Sequence, residues 1–208
     1  MAADPRKRNW TFLVYEDSAP ENWKNALLEE GIPCIISPYH DRDIWDAADE
    51  AVDPSHVAGE RKKPHWHVMM MFKGKKTPEQ AQEISNLCSG VKVKPVHDVR
   101  GLARYFCHMD TDEKAPYSPD EIVCYGGLDY YELIETNNDV SEAMKEIMAF
   151  VREESITSYA ELCDYCSHHN NYWFHVITAR RTLPILNYLK SVTWENVVAE
   201  KAAQKEAE

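Results

Sequence analysis

Two histidines, two residues apart, open the apolar run Pro64-His65-Trp66-His67-Val68-Met69-Met70-Met71-Phe72. In a strand, alternate side chains share a face, so His65 and His67 point the same way with Cα atoms roughly 6.7 Å apart. Two imidazoles at that spacing can converge on one metal ion. Trp66, Val68, Met70 and Phe72 take the opposite face and read as core. Further ligands are offered upstream by Ser37-Pro38-Tyr39-His40-Asp41-Arg42-Asp43, which follows a second strand pattern. His40 and Asp43 complete a mixed nitrogen and oxygen set, with Asp41 as a substitute for Asp43. Such a set suits Mn2+ or Mg2+ and does not exclude Zn2+. The simpler reading is of two strand histidines satisfied by their neighbours.

A nucleophile is offered by Tyr105, in the helical segment Val99 to Met109 with its apolar stripe of Val99, Leu102, Phe106 and Met109. Gly101, one turn earlier, leaves room beside the hydroxyl for a phosphodiester strand. Arg100 and Arg104 on the neighbouring face are candidate phosphate contacts. A phenol is a poor nucleophile unless activated, and a divalent ion would neutralise charge developing on an attacked phosphoryl group. Attack by Tyr105 would leave a free 3′-hydroxyl and a 5′-phosphotyrosyl enzyme. Helix spacing alone favours a plainer role, a boundary residue with its hydroxyl in water.

The elements that must position these residues follow from periodicity and punctuation. Trp10 to Tyr15 reads as a first, central strand. A helix follows from Pro20 to Gly31, and Ile32 to Ser37 reads as a second strand. Residues 39–61 read as a long acidic loop, and then comes the His65 strand. Thr77-Pro78-Glu79 opens a second helix. Val91 to Val96 reads as an edge strand, the Tyr105 helix follows, and Ile122 to Gly127 reads as a last short strand. The order β-α-β-β-α-β predicts an α+β chain with a ferredoxin-like antiparallel sheet and helices on one face. From residue 140 to 205 there is one proline and no glycine. We therefore expect a domain spanning residues 1–135 and an all-α C-terminal domain over 136–208, with a helix broken near Pro184 and a frayed end from Glu200.

The net charge of −12 over 208 residues argues against coating nucleic acid by bulk electrostatics. Only local basic patches can face phosphate: Arg61-Lys62-Lys63, Lys73-Lys75-Lys76, Lys92 with Lys94, and Arg100 with Arg104. The six cysteines lie mostly in apolar segments and no secretory signal precedes them, so disulfides are not expected. No apolar run approaches the ~20 residues a membrane span needs. A cytoplasmic location with no membrane partner is expected.

Three ordered motifs go further: Tyr-His-Asp-Arg-Asp at 39–43, Lys-Pro-His-Trp-His-Val at 63–68 and Arg-Tyr-Phe-Cys-His-Met-Asp at 104–110. Together they resemble the motifs of HUH endonucleases, and more closely those of RepB-type initiators of rolling-circle plasmid replication, over about residues 8 to 135. The resemblance implies a Mn2+ or Mg2+ ion held by His40, Asp43, His65 and His67, with Tyr105 as the single nucleophile and Tyr117 as a weaker alternative. It implies nicking and rejoining of plasmid origin DNA, at a single-stranded nick site near duplex. It also implies a C-terminal oligomerisation domain, with a hexameric ring among the assemblies it suggests. No Gly-rich Lys-Ser/Thr phosphate loop is present, so a separate host helicase is implied. The acidity and the long 44–61 loop depart from the pattern. A conjugative relaxase or a viral initiator would use similar chemistry. A different class, a non-catalytic zinc and nucleic-acid-binding module or scaffold, rests on Cys163-x-x-Cys166-x-x-His169, with His168 and His175 nearby.

Overall fold

A computed structural model of the chain describes residues 4–206. The chain is α+β and separates into two compact units, residues 1–134 and 135–208. The first unit runs β1 (Lys7–Tyr15), α1 (Trp23–Glu29), β2 (Cys34–Ile36), α2 (Ala47–Val52), β3 (His65–Lys76), α3 (Pro78–Leu87), β4 (Lys94–Pro95), α4 (Val99–Tyr105), β5 (Val123–Tyr125) and α5 (Tyr130–Ile134).

The five strands form one sheet in the order β4-β1-β3-β2-β5, with every neighbouring pair antiparallel. β1 and β2 are thus parallel to each other, with β3 between them. β3 and β4 hold β1 in the same way. These two interleaved split βαβ units are the ferredoxin-like arrangement.

The long pairing of β1 with β3 sets the register, with Leu13 opposite His67 and Tyr15 opposite His65. Alternation then divides the sheet. Phe12, Val14, Val68 and Met70 are buried against Trp23 and Leu27 of α1 and Ala81 of α3. Ile35 and Met69 are buried on the opposite face with Ala103, Phe106, Tyr130 and Ile134. Helices therefore cover both faces, not one. The reason lies in β3, whose odd-numbered residues Met69 and Met71 are as apolar as the even ones and need their own cover.

Several boundaries differ from the pattern reading. Between 91 and 96 only Lys94–Pro95 is a strand; Pro95 lacks the N–H a longer ladder needs. The 39–61 stretch contains α2, capped by Asp46, whose carboxylate accepts from the backbone N–H groups of Ala48 and Asp49. Trp45 stacks on His56 at 3.6 Å, and Lys62 lies 4.4 Å over Trp45. That insertion is a folded substructure.

The Tyr105 helix stops at Tyr105, four residues before the predicted end, and His108 takes a positive φ of 54°. Gly101 does not open space for a ligand. Its N–H donates to the capping Asp98 carboxylate, and a Cβ there would lie 2.4 Å from that carboxylate.

The second unit is helical: α6 (Asn137–Glu153), α7 (Tyr159–His169), α8 (Asn171–His175), a π-helical turn at Val176–Arg180, and α9 (Thr182–Glu206). Its own core includes Val140, Ile147, Val151, Leu162, Cys166, Ile177 and Ile185. The break precedes Pro184, which sits in the first turn of α9, where proline is tolerated. α9 continues through Glu206, past the expected fraying point at Glu200. Among the described residues no helix is long and apolar enough to cross a membrane.

Candidate metal centre and nucleophile

His40 and His65 are joined first through the backbone. Each N–H donates to the other's carbonyl, at 2.9 and 3.2 Å. Pro38 follows the last β2 contact, and Pro64 precedes β3 where no ladder N–H is required. Ser37 ties the next pair. Its N–H donates to the His67 carbonyl at 2.9 Å, and its hydroxyl oxygen accepts from the His67 N–H at 2.9 Å. The strand edge thus presents three imidazoles toward α4, with His40 and His65 buried.

His40, His65 and His67 offer ring nitrogens that lie mutually within 4.8 Å. His65 Nδ1 lies 2.8 Å from the Lys63 carbonyl, so that nitrogen carries the proton and Nε2 keeps its lone pair. That Nε2 faces the Nε2 of His67 at 3.2 Å. Burial lowers the pKa of both rings, His67 most strongly, and neighbouring His40 adds to the effect. Convergent imidazoles, with the distal nitrogen of His65 held by a carbonyl, are the donor chemistry a divalent metal requires. The residues present therefore fit such an ion.

Asp43 falls in a second group, with His40 and His108, whose ligand atoms again lie mutually within 4.8 Å. Its Oδ2 is 3.2 Å from His40 Nδ1, and Tyr117 donates its hydroxyl to Oδ1 at 3.0 Å. Burial pushes the Asp43 carboxyl up, but His40, His108 and the Tyr117 hydroxyl together hold it well below the usual carboxylate range. The other candidate, Asp41, is exposed and lies 3.8 Å from the Arg42 guanidinium.

Tyr117 is buried and stacks on His40 at 4.2 Å. Its hydroxyl also accepts from the Arg42 N–H at 2.9 Å, and burial pushes its pKa up to about 12. The hydroxyl of Tyr117, the alternative nucleophile, is thus engaged by Asp43 and by the Arg42 N–H.

Tyr105, the last residue of α4, sets its ring 5.5 Å from that of His67 and 5.1 Å from that of His108. Lys114 Nζ donates to Tyr105 Oη at 3.2 Å and lies 4.9 Å from the ring centroid. A cavity of about 170 Å³ opens beside Tyr105 and His67, with Leu13 and Leu102 in its walls and Lys92 and Lys94 also lining it.

The other basic candidates are engaged differently. Lys62 donates to Asp49 at 2.7 Å, and Lys63 pairs with Asp17 at 2.8 Å. Arg104 is bidentate to Asp110 at 2.7 and 2.5 Å, and Arg100 donates to the Ile134 carbonyl at 2.8 Å. Arg61 is exposed and bridges to Ile44 at the end of the insertion.

Pattern reasoning missed Lys114 and His108 as members of this site. His108 lay inside a quoted motif, but only the positive φ turns it inward, and Lys114 sits in an irregular turn with no spacing rule. In the second unit, His168 and His169 each turn Nδ1 to a carbonyl four residues back, of Asp164 and Tyr165. Among the described residues neither group of metal-ligating atoms includes Cys163, Cys166 or His169.

Residues 2–131 match the family described as plasmid replication protein, origin binding domain, and residues 137–193 match replication protein RepB, C-terminal. The chain belongs to the RepB family of plasmid replication initiators. Within that family it is similar to the replication protein RepB of Lactiplantibacillus plantarum, 34% identical over 203 residues, covering 96% of this chain and 87% of the relative. A replication protein of Staphylococcus aureus is 33% identical over 188 residues, covering 89% of each chain. In an initiator, the histidine cluster and Tyr105 sit in the origin-binding unit.

Proposed function

We propose that this initiator nicks and rejoins single-stranded origin DNA, with Tyr105 as the nucleophile. The observation that carries the reading is the placement of the Tyr105 ring against His67, one member of a trio of convergent imidazoles. A divalent ion, Mn2+ or Mg2+, held by His40, Asp43, His65 and His67 would supply positive charge beside the scissile phosphate.

The chain's own residues account for the rest. Lys114 donates to Tyr105 Oη and sets a positive charge beside the attacking oxygen. The Tyr105 oxygen bonds to phosphorus as the bond from phosphorus to the 3′-oxygen breaks. The phenol gives up its proton, and the departing 3′-oxygen takes one up. The product is a 5′-phosphotyrosine and a free 3′-hydroxyl, and attack of that hydroxyl on the phosphotyrosine restores both starting groups. Lys92 and Lys94, beside Tyr105, suit phosphates of the approaching strand.

The helical unit is read as an oligomerisation module: Leu183, Trp194 and Val198 of α9 are exposed at 68%, 67% and 48%. Oligomerisation would let an acidic chain hold DNA through several weak sites, and strand separation would fall to a separate host helicase.

The test is incubation of an origin oligonucleotide with Mn2+, followed by denaturing electrophoresis. Wild type should yield a covalent protein–DNA band and a free 3′-hydroxyl product, and Tyr105→Phe should yield neither. An undiminished band with Tyr105→Phe would overturn the assignment.

A further inference from the structure

His108 is absent from the four-ligand set that the motifs supply, and its environment is unusual. Its Nδ1 lies 2.8 Å from the Ala115 carbonyl, which fixes the proton there and leaves the lone pair on Nε2. That Nε2 is buried and has no hydrogen-bond partner. It lies 3.8 Å from Asp43 Oδ2, with both side chains almost wholly removed from solvent. His40 Nδ1 lies 3.2 Å from the same oxygen, and the ligand atoms of His40, Asp43 and His108 lie mutually within 4.8 Å. Buried polar nitrogens without partners are rare in folded proteins. Ligand atoms around a divalent ion bonded at about 2.0–2.2 Å stand roughly 3–4 Å apart. The positive φ of 54° at His108, uncommon for a residue with a Cβ, turns this ring back under the end of α4.

We propose that His108 is a fifth protein donor to the divalent cation of this site, binding through Nε2 in the His40–Asp43–His108 group. The proposal rests on the metal-centre reading above and extends it: His108 binds from the turn after α4, Asp43 from the segment after β2, His65 and His67 from β3, and His40 belongs to both groups. It also assigns the turn after Tyr105 a task. The residue three positions past the nucleophile would anchor to the same cation, so metal loading would fix the Tyr105 hydroxyl relative to it.

The probe is Mn2+ alone, titrated calorimetrically into metal-free full-length protein. His108→Ala should weaken Mn2+ binding at least tenfold, as His65→Ala should. Wild-type affinity in His108→Ala alongside weakened His65→Ala would overturn the proposal and leave the metal centre standing. No Mn2+ binding by the wild type would overturn both. A second measurement needs no variant. In 15N-histidine-labelled wild type, the His108 Nε2 resonance should move on addition of Zn2+ while Nδ1 stays protonated. An unmoved Nε2 at Zn2+ saturation would equally overturn the proposal.

Discussion

Lys114 sets the electrostatics at the Tyr105 hydroxyl. Burial alone would pull its pKa down, yet the hydrogen bond to Tyr105, with Asp43 and Asp49 nearby, raises it, so the ammonium persists at neutral pH. A hydrogen bond to a charged group contributes about 1.5–3 kcal/mol. Lys114→Met should therefore slow adduct formation by roughly 10- to 100-fold in single-turnover assays, with Lys114→Arg partly restoring it; an unchanged rate in Lys114→Met would remove the residue from the mechanism. His65 and His67 carry a second prediction. Their folded pKa values lie below 6.5, so between 6.5 and those values the unfolded chain binds more protons. Their contribution to stability is fully present above pH 6.5 and is lost as pH falls through that window. The metal-free melting temperature should drop below about pH 6.5, and His65→Ala/His67→Ala should flatten that drop. At this scale, alternation in β3 made the shared face of His65 and His67 legible. Asp43 joining His108 depended on a turn, Phe106 to Asp110, whose left-handed residue no periodicity announces.

At the scale of elements, α4 is short, and its seven residues carry Tyr105 at their last position. Asp98 caps it by accepting from the Gly101 N–H at 2.9 Å. Asp98→Ala should lower stability by about 1 kcal/mol, the usual magnitude for a lost cap, measured by urea denaturation. Phe106, fully buried between Met69 and Ala103, holds the following turn against the sheet and accepts from His40 Nε2 through its carbonyl. Phe106→Ala should cost about 3–5 kcal/mol, so metal affinity should fall along with stability. β1 was legible from its run of aromatic and β-branched residues, and β3 from the apolar run that follows His65 and His67. The second apolar face was not, because methionine at 69 and 71 carries no directional signal and both faces of a buried strand look alike. β4 was overread for a related reason: Val-Lys alternation predicts an edge strand, while Pro95 limits its ladder to two residues.

At the scale of the molecule, the chain is acidic while its proposed DNA path is local, near Lys92 and Lys94. Few neutralised phosphates mean a shallow dependence of affinity on salt. On single-stranded DNA a protomer with two phosphate contacts should show a log–log slope of magnitude about 1.4, and Lys92→Ala/Lys94→Ala should reduce it toward zero in fluorescence anisotropy. A steep slope that survives the double substitution would place the contacts elsewhere. Oligomerisation through α9 predicts that Trp194→Glu lowers the mass seen by light scattering while leaving the circular dichroism unchanged, because Trp194 is exposed at 67%. The change of texture after residue 136 marked the helical unit in the sequence, since helical periodicity without glycine needs no tertiary knowledge; what the α9 surface meets is not written in periodicity. In the proposed reaction one phenol, Tyr105, forms the covalent link. Proteolysis of the adduct made with Mn2+ and origin DNA, followed by mass spectrometry, tests it most directly. A nucleotide remnant is expected on the peptide containing Tyr105. A remnant on the peptide containing Tyr117, or on none, would contradict it.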